Sequence, residues 1–236
     1  MTGLSKGFTD TIDDAIANTK WDDHDDTIAK ARGSYTGFLK STPGYVQPDA
    51  KIIRAMVWTE SGGPSSAAWS TKPMQIGVPG DPGLDALLGA TDHGDLILPP
   101  AFKLSLTKAT VKSNAANNIQ AGLGYLLLRH ASFKFVSVQD AGSASPYTVK
   151  PGDTLGKIAK ALGSTVAQLE ADNPKAKKSL HPKDVLSVQP AHMEWQIDGW
   201  TAVTAKSAAA KYNGGGDANY AAKLDYCIVT MGKLKR

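Results

Sequence analysis

Glu60 stands at the end of an apolar helical run and just before a Gly-rich turn, in Thr59-Glu60-Ser61-Gly62-Gly63. A carboxyl group delivered in this way, partly withdrawn from water, keeps its proton to higher pH than an exposed one and can hand it to a leaving oxygen. Asp81, Asp85, Asp92 and Asp95 follow in a stretch rich in Gly, Pro and Asp, and any of them could supply a second carboxylate. The commoner role of each is to form a turn or cap a helix. Two further clusters carry metal-ligand residue types. The spacing of Asp22-Asp23-His24-Asp25-Asp26 fits neither a calcium loop nor a zinc pair, and His93-Gly94-Asp95 offers only two ligands, so neither metal nor cofactor is expected. Cys227, in the apolar run Tyr226-Cys227-Ile228-Val229, reads as a core thiol, and one cysteine excludes an intramolecular disulfide.

The elements that must position these groups are mostly helical. Phe8 to Leu39 has a polar helical pattern in which Trp21 to Asp26 reads as a turn that opens a helix, with carboxylates at its positive end. Gln47-Pro48-Asp49 starts the next helix, where Ile52, Ile53, Met56 and Val57 recur on one face and Gly62-Gly63-Pro64 stops the run just after Glu60. Val78 to Pro100 reads as a loop-dominated wall. Ala115 to Arg129 is a second strong helix, with Ile119, Leu123, Leu126 and Leu127 on one face and Gly122 and Gly124 permitting close packing. Ser137 to Ser145 reads as a linker. The last helices span Thr204 to Tyr212 and Tyr220 to Met231, joined by the turn Gly214-Gly215-Gly216.

Composition shifts toward Lys at Tyr147 and back at His192. Between them, Tyr147-Thr148-Val149 reads as a strand, Pro151-Gly152-Asp153 as a turn, and Leu155, Ile158, Ala159 and Leu162 as the face of a helix capped by Asp153 or Thr154. A second helix carries Val166 and Leu169, Asp172-Asn173-Pro174 ends it, and Asp184 to Val188 supplies a return strand. This β-α-α-β order, with its Gly-Asp-Thr-Leu turn and its Asn-Pro after the second helix, closely resembles the LysM peptidoglycan-binding module from Tyr147 to Pro190. The resemblance implies glycan binding by Gly152, Asp153, Thr154 and Leu155 on one loop and by Asp172, Asn173 and Pro174 on the other.

Three separated pieces carry a second resemblance: Glu60-Ser61-Gly62, then Lys72-Pro73-Met74-Gln75-Ile76-Gly77, then Ala210-Lys211-Tyr212-Asn213-Gly214. In this order they resemble the lytic transglycosylases of the lysozyme-like (soluble lytic transglycosylase and goose-type lysozyme) superfamily, which cut the glycan strands of peptidoglycan. Lys72-Pro73 replaces the family's frequent Gly-Leu before Met-Gln. The resemblance implies that Glu60 is the sole acid/base and that Ser61 hydrogen-bonds its carboxylate or the substrate. It implies that Met74, Gln75 and Ile76 line the cleft, that Tyr212 hydrogen-bonds Glu60, and that Asn213 meets the substrate. Two other classes stay open: a hydrolase using one of Asp81 to Asp95, and a wall-binding protein without activity.

The expected architecture is therefore mainly α: a lysozyme-like catalytic domain over 1–143 and 192–236, interrupted by a small βααβ module over 146–191. The 236 residues suffice for this, and an apolar share of 42% with 20% charged is ordinary for a folded chain. With 26 basic and 22 acidic residues the net charge is +4, which suits an anionic wall polymer. No dense Arg cluster or basic helix tracks phosphates, so nucleic acid is not the expected partner. No apolar run approaches the ~20 residues needed to span a bilayer. Met1 to Asp10 lacks a basic head followed by an apolar stretch. With a substrate outside the cytoplasmic membrane, this points to synthesis in the cytoplasm without a signal peptide and action in the periplasm or cell wall of a target bacterium. It suits an antibacterial effector carried by a contractile (type VI) secretion machine and matched by an immunity protein, or a phage endolysin.

Overall fold

A computed structural model describes residues 3–89 and 91–235. Its helices are α1 (Lys6–Asp13), α2 (Asp25–Leu39), α3 (Ala50–Ser61), α4 (Ala67–Thr71), α5 (Gly83–Leu88), α6 (Gly94–Ile97), α7 (Pro100–Ser105), α8 (Lys108–Ser113), α9 (Ala115–His130), α10 (Leu155–Leu162), α11 (Val166–Asp172), α12 (Ala205–Lys211) and α13 (Tyr220–Met231). The strands are β1 (Ala131–Gln139), β2 (Ser145–Thr148), β3 (Val185–Val188) and β4 (Ala191–Trp200), paired as β1 with β4 and β2 with β3. The protein is mainly helical and contains the βααβ module. No helix among the described residues is long and apolar enough to cross a membrane.

The chain divides into two compact units, one built from the segments up to Ser132 and from Ile197 onward, the other from Phe133 to Gln196. In the first, α3 packs on α13 and α2 packs on α9. The apolar stripe of α3 is fully buried: Ile53, Met56, Val57 and Trp58 are each 0% exposed. Small residues bring α9 close to its neighbours. A Cβ on Gly122 would meet Met74 Sδ at 2.6 Å, and one on Gly124 would meet Tyr35 Oη at 2.2 Å. The stretch from Val78 to Pro100, read as wall loops, holds the short helices α5 and α6. Leu84 and Leu87, one helical turn apart on α5, and Ile97 on α6 are buried and anchor the two helices against the core.

The second unit holds the module core of Val149, Ile158, Ala159, Leu169, Ala176, Leu186 and Val188. Strands β2 and β3 pair antiparallel, with Tyr147 opposite Leu186. The unit extends beyond 146–191 because β1 and β4 flank the module as a ribbon. The segment Ser137 to Ser145, expected as a linker, is therefore partly strand. Phe133 and Phe135 flank Lys134 on β1, and Met193, Trp195 and Ile197 on β4 alternate with polar neighbours, the period-two signature of a strand.

Candidate active site

Glu60 reaches its place because α3 ends one residue later. Gly62 takes a left-handed conformation at φ +73°, and its N–H returns to Trp58 O at 3.1 Å. Gly63 follows at φ +87°, and a Cβ there would collide with the Trp21 ring at 2.3 Å. Trp21 itself stacks edge-on against Trp58 and Trp69, at 4.9 and 5.7 Å between ring centroids. The turn after Glu60 is thus closed over an aromatic cluster that only glycine can approach. Arg54 on α3 pairs with Asp22 and Asp25, and the His24 ring meets Trp69 O, so Asp22, His24 and Asp25 serve this packing.

The carboxyl of Glu60 is partly buried, and burial holds its pKa above the ordinary value of 4.5. A hydrogen bond from Tyr220 and the Lys223 charge oppose that rise, while Asp217 and Asp81 reinforce it. The direct contact comes from Tyr220 Oη, which donates to Glu60 Oε1 at 2.7 Å. Burial and the adjacent Glu60 carboxylate raise the Tyr220 hydroxyl's own pKa far above the ordinary range, so it remains a donor.

This corrects the expectation for Tyr212, whose hydroxyl donates to Met74 O at 2.8 Å instead. The reason is local. Tyr212 follows the last turn of α12, while Tyr220 opens α13, the helix packed along α3. Ser61 also departs from its expected role. It is 5% exposed, donates to Val57 O at 2.6 Å and accepts Gly63 N–H at 3.1 Å, which fastens the helix end rather than the carboxylate.

A cleft of about 220 Å³ is lined by Glu60, Met74, Gln75, Ile76, Val78, Asp81, Tyr125, Tyr212 and Asn213. Three separated segments thus meet there. Gln75 sits at φ +53°, a left-handed conformation that is uncommon for a side-chain-bearing residue. Its neighbours are pinned from both sides by Asn118, which is 0% exposed. Asn118 Oδ1 accepts Met74 N–H at 2.8 Å, and Nδ2 donates to Ile76 O at 3.1 Å and to Val111 O at 3.0 Å. Tyr212 completes the clamp through Met74 O, and its ring lies 5.5 Å from that of Tyr125. Asn213 Oδ1 accepts Asp217 N–H at 2.8 Å, which closes the Gly-rich turn beneath the cleft.

Of the four wall aspartates, Asp81 alone lines this cleft. Its two oxygens accept Gly77 N–H at 2.7 Å and Gly83 N–H at 2.8 Å. Asp85 pairs with Lys108 on the surface, and Asp95 lines a separate groove with Leu87 and Leu98. Cys227 contacts Thr59 across the α3–α13 seam and is fully buried, which pushes its pKa up to about 12 and keeps it a thiol. Sequence reading missed Tyr220 and Asn118. For Tyr220 a signal existed: Tyr220, Leu224 and Cys227 share one helical face, so the hydroxyl at the end of that stripe needs a partner.

In the second unit Thr154, not Asp153, caps α10 by accepting Lys157 N–H at 3.2 Å. Asp153 instead closes the turn after β2, accepting Lys150 N–H and Tyr147 Oη, both at 2.8 Å, with Gly152 at φ +83°. Asn173 ties α11 to β3, donating to Ser187 O at 2.7 Å and accepting Ser187 N–H at 2.8 Å. A cleft of about 330 Å³ beside β3 takes Asn173 and Pro174 from the expected glycan-binding set. Asp172 and the loop from Gly152 to Leu155 are not in its lining.

Comparison with known proteins bears on this second unit. The LysM domain family matches residues 147–189. "Probable endopeptidase p60" of Listeria seeligeri is 51% identical over 47 residues, which are 20% of this chain and 9% of that protein, and the match covers the LysM module only. The chain thus spans under a tenth of the length of that relative. No solved structure matches. The chain therefore contains a LysM domain, a peptidoglycan-binding module.

Proposed function

We propose that the chain cleaves the β-1,4 bond between N-acetylmuramic acid and N-acetylglucosamine in peptidoglycan, by lytic transglycosylation at Glu60. The observation that carries this reading is a carboxyl made weakly acidic by burial, held by Tyr220, at the base of a cleft on a chain that also bears a peptidoglycan-binding module. Protonated Glu60 gives its proton to the glycosidic oxygen, since a sugar alkoxide leaves poorly. The bond to the anomeric carbon breaks, and positive charge develops on the muramic acid ring. The carboxylate left behind takes the proton of the muramic acid 6-hydroxyl, whose oxygen closes on the anomeric carbon. The product is a 1,6-anhydro sugar, and no water is consumed. Tyr220 stabilises the carboxylate between the two transfers, so the group is acid enough to give and base enough to take.

A second reading is a hydrolase, favoured by one observation: Asp81 shares the cleft with Glu60. Both oxygens of that carboxylate are already engaged by backbone N–H groups that hold the Gly77-to-Gly83 turn, so we rank this reading second. In either case the proton donor is Glu60, and Glu60→Gln should abolish release of soluble fragments from purified sacculi. We extend the reading to the setting of an antibacterial effector or endolysin. A cleft of this size would be stopped by an immunity protein that seats a side chain between Glu60 and Tyr212.

A further inference from the structure

The ribbon of β1 and β4 carries a feature that the LysM resemblance does not include. Asp140 N–H donates to Pro190 O at 2.8 Å at one end, and Thr201 N–H to His130 O at 2.8 Å at the other, so the strands run antiparallel. Midway, the rings of Phe135 and Trp195 face each other across the strands at 5.2 Å between centroids, tilted by 41°. Phe135 is 49% exposed, Trp195 44% and Met193 39%. Side chains alternate along a strand, so Ser137 stands on the same face as Phe135, and Met193 on the same face as Trp195. That face meets the module: Ser137 Oγ lies 2.5 Å from Thr165 Oγ1, the cap of α11. Ala191 N–H to Gly163 O and Ser164 Oγ to Gln189 O add two further ties within the same compact unit.

Apolar rings held in water mark an interaction surface. Pyranose rings carry a face of C–H groups that lies flat on an aromatic ring, and both surfaces shed water when they meet. The ligand class is fixed by continuity, because the strip begins at the cap of a helix whose other end is the Asp172–Pro174 loop. Over its seven residues α11 rises about 10 Å, so only a polymer spans both places. Eight lysines against six carboxylates between Phe133 and Gln196 leave this unit cationic, in keeping with a wall polymer.

We propose that the Phe135–Trp195 face is a second glycan-binding subsite, over which a strand held by the LysM module extends. It makes the chain prefer long strands to short oligomers. The proposal rests on the carbohydrate class of the module and not on chemistry at Glu60, so failure of the catalytic reading leaves it standing.

The test uses the full chain carrying Glu60→Gln, so that no turnover confounds binding. Affinity is measured for peptide-free glycan strands from sacculi and for tri-N-acetylchitotriose, with and without Phe135→Ala and Trp195→Ala together. The expected result is a loss of about tenfold for strands, equivalent to about 1.4 kcal/mol, with affinity for the trimer unchanged. Unchanged strand affinity, with or without a lower melting temperature, overturns the proposal and leaves the pair a brace of the ribbon. So does a wild-type dimer in light scattering that the double substitution converts to monomer, which would make the face a self-association surface. Should the double variant fail to fold, Trp195→Phe keeps a ring in place. Strands should then shield a tryptophan from acrylamide quenching in the parent chain and not in this variant, and equal shielding in both overturns the proposal.

Discussion

Tyr220 Oη donates to Glu60 Oε1 at 2.7 Å, and the two residues lie on helices that pack along each other. The contact favours the ionised carboxyl, against the burial that favours the neutral one. Tyr220→Phe removes only that hydroxyl. The Glu60 pKa should rise further, and the high-pH limb of the activity profile should move to higher pH. A hydrogen bond to a charged group contributes about 1.5–3 kcal/mol, so activity at the optimum should fall roughly tenfold or more. A pH profile that does not move would show that the hydroxyl has no influence on the carboxyl.

Glu60→Gln should also stabilise the fold. A carboxyl whose pKa is raised in the folded state binds its proton more tightly there than in the unfolded chain. The cost of ionising it is absent below the ordinary value of 4.5 and complete once the pH exceeds the raised folded value. The glutamine chain should therefore melt a few degrees higher at pH 7, the usual scale of an active-site trade-off, and at the same temperature as wild type at pH 3.5. An identical melting temperature at both pH values would contradict the burial account.

Asn118→Leu leaves Met74 N–H, Ile76 O and Val111 O without their partner. Each stranded group costs about 1–3 kcal/mol, so urea denaturation should register a loss of roughly 3 kcal/mol or more for the three together. The segment from Met74 to Ile76 forms one wall of the cleft, so KM should rise even where the chain is fully folded.

The fold was legible where periodicity was strong. The stripe of α3 and the Gly-bearing face of α9 announce buried helices, and Gly62-Gly63 announces where Glu60 must stop. Less legible were contacts made by side chains at element ends. Tyr212 and Tyr220 have the same chemistry, and which one meets Glu60 depends on how α12 and α13 run, a tertiary fact. Ser61 follows the same logic, since a hydroxyl at a helix end bonds the nearest backbone groups before anything across the cleft. The alternation on β4 carries the signal of a strand, but Gly142 and Ser143, which connect β1 to β2, give the stretch after Ser137 the composition of a linker.

Gly122→Ala tests the packing beneath the cleft. The added methyl would fall 2.6 Å from Met74 Sδ and 2.7 Å from Met74 Cβ, so Met74 must shift. Overpacking of this kind costs about 1–3 kcal/mol. Because Met74 lines the cleft, catalytic efficiency should fall by more than the loss of folded chain accounts for.

Asp81→Asn separates the two chemistries. The amide keeps one acceptor for Gly77 or Gly83 and removes the charge. Under transglycosylation the variant should keep making anhydro ends at no less than about a tenth of the wild-type rate, within the cost of one weakened hydrogen bond. A hydrolase that depends on Asp81 would lose its activity.

In the proposed reaction Glu60 both gives and takes the proton, and no water is used. Mass spectrometry of fragments released from purified sacculi tests it most directly, with wild type beside Glu60→Gln. Wild type should release 1,6-anhydro-muropeptides, and the variant none. Fragments with ordinary reducing ends, or no fragments from the wild type, would contradict it.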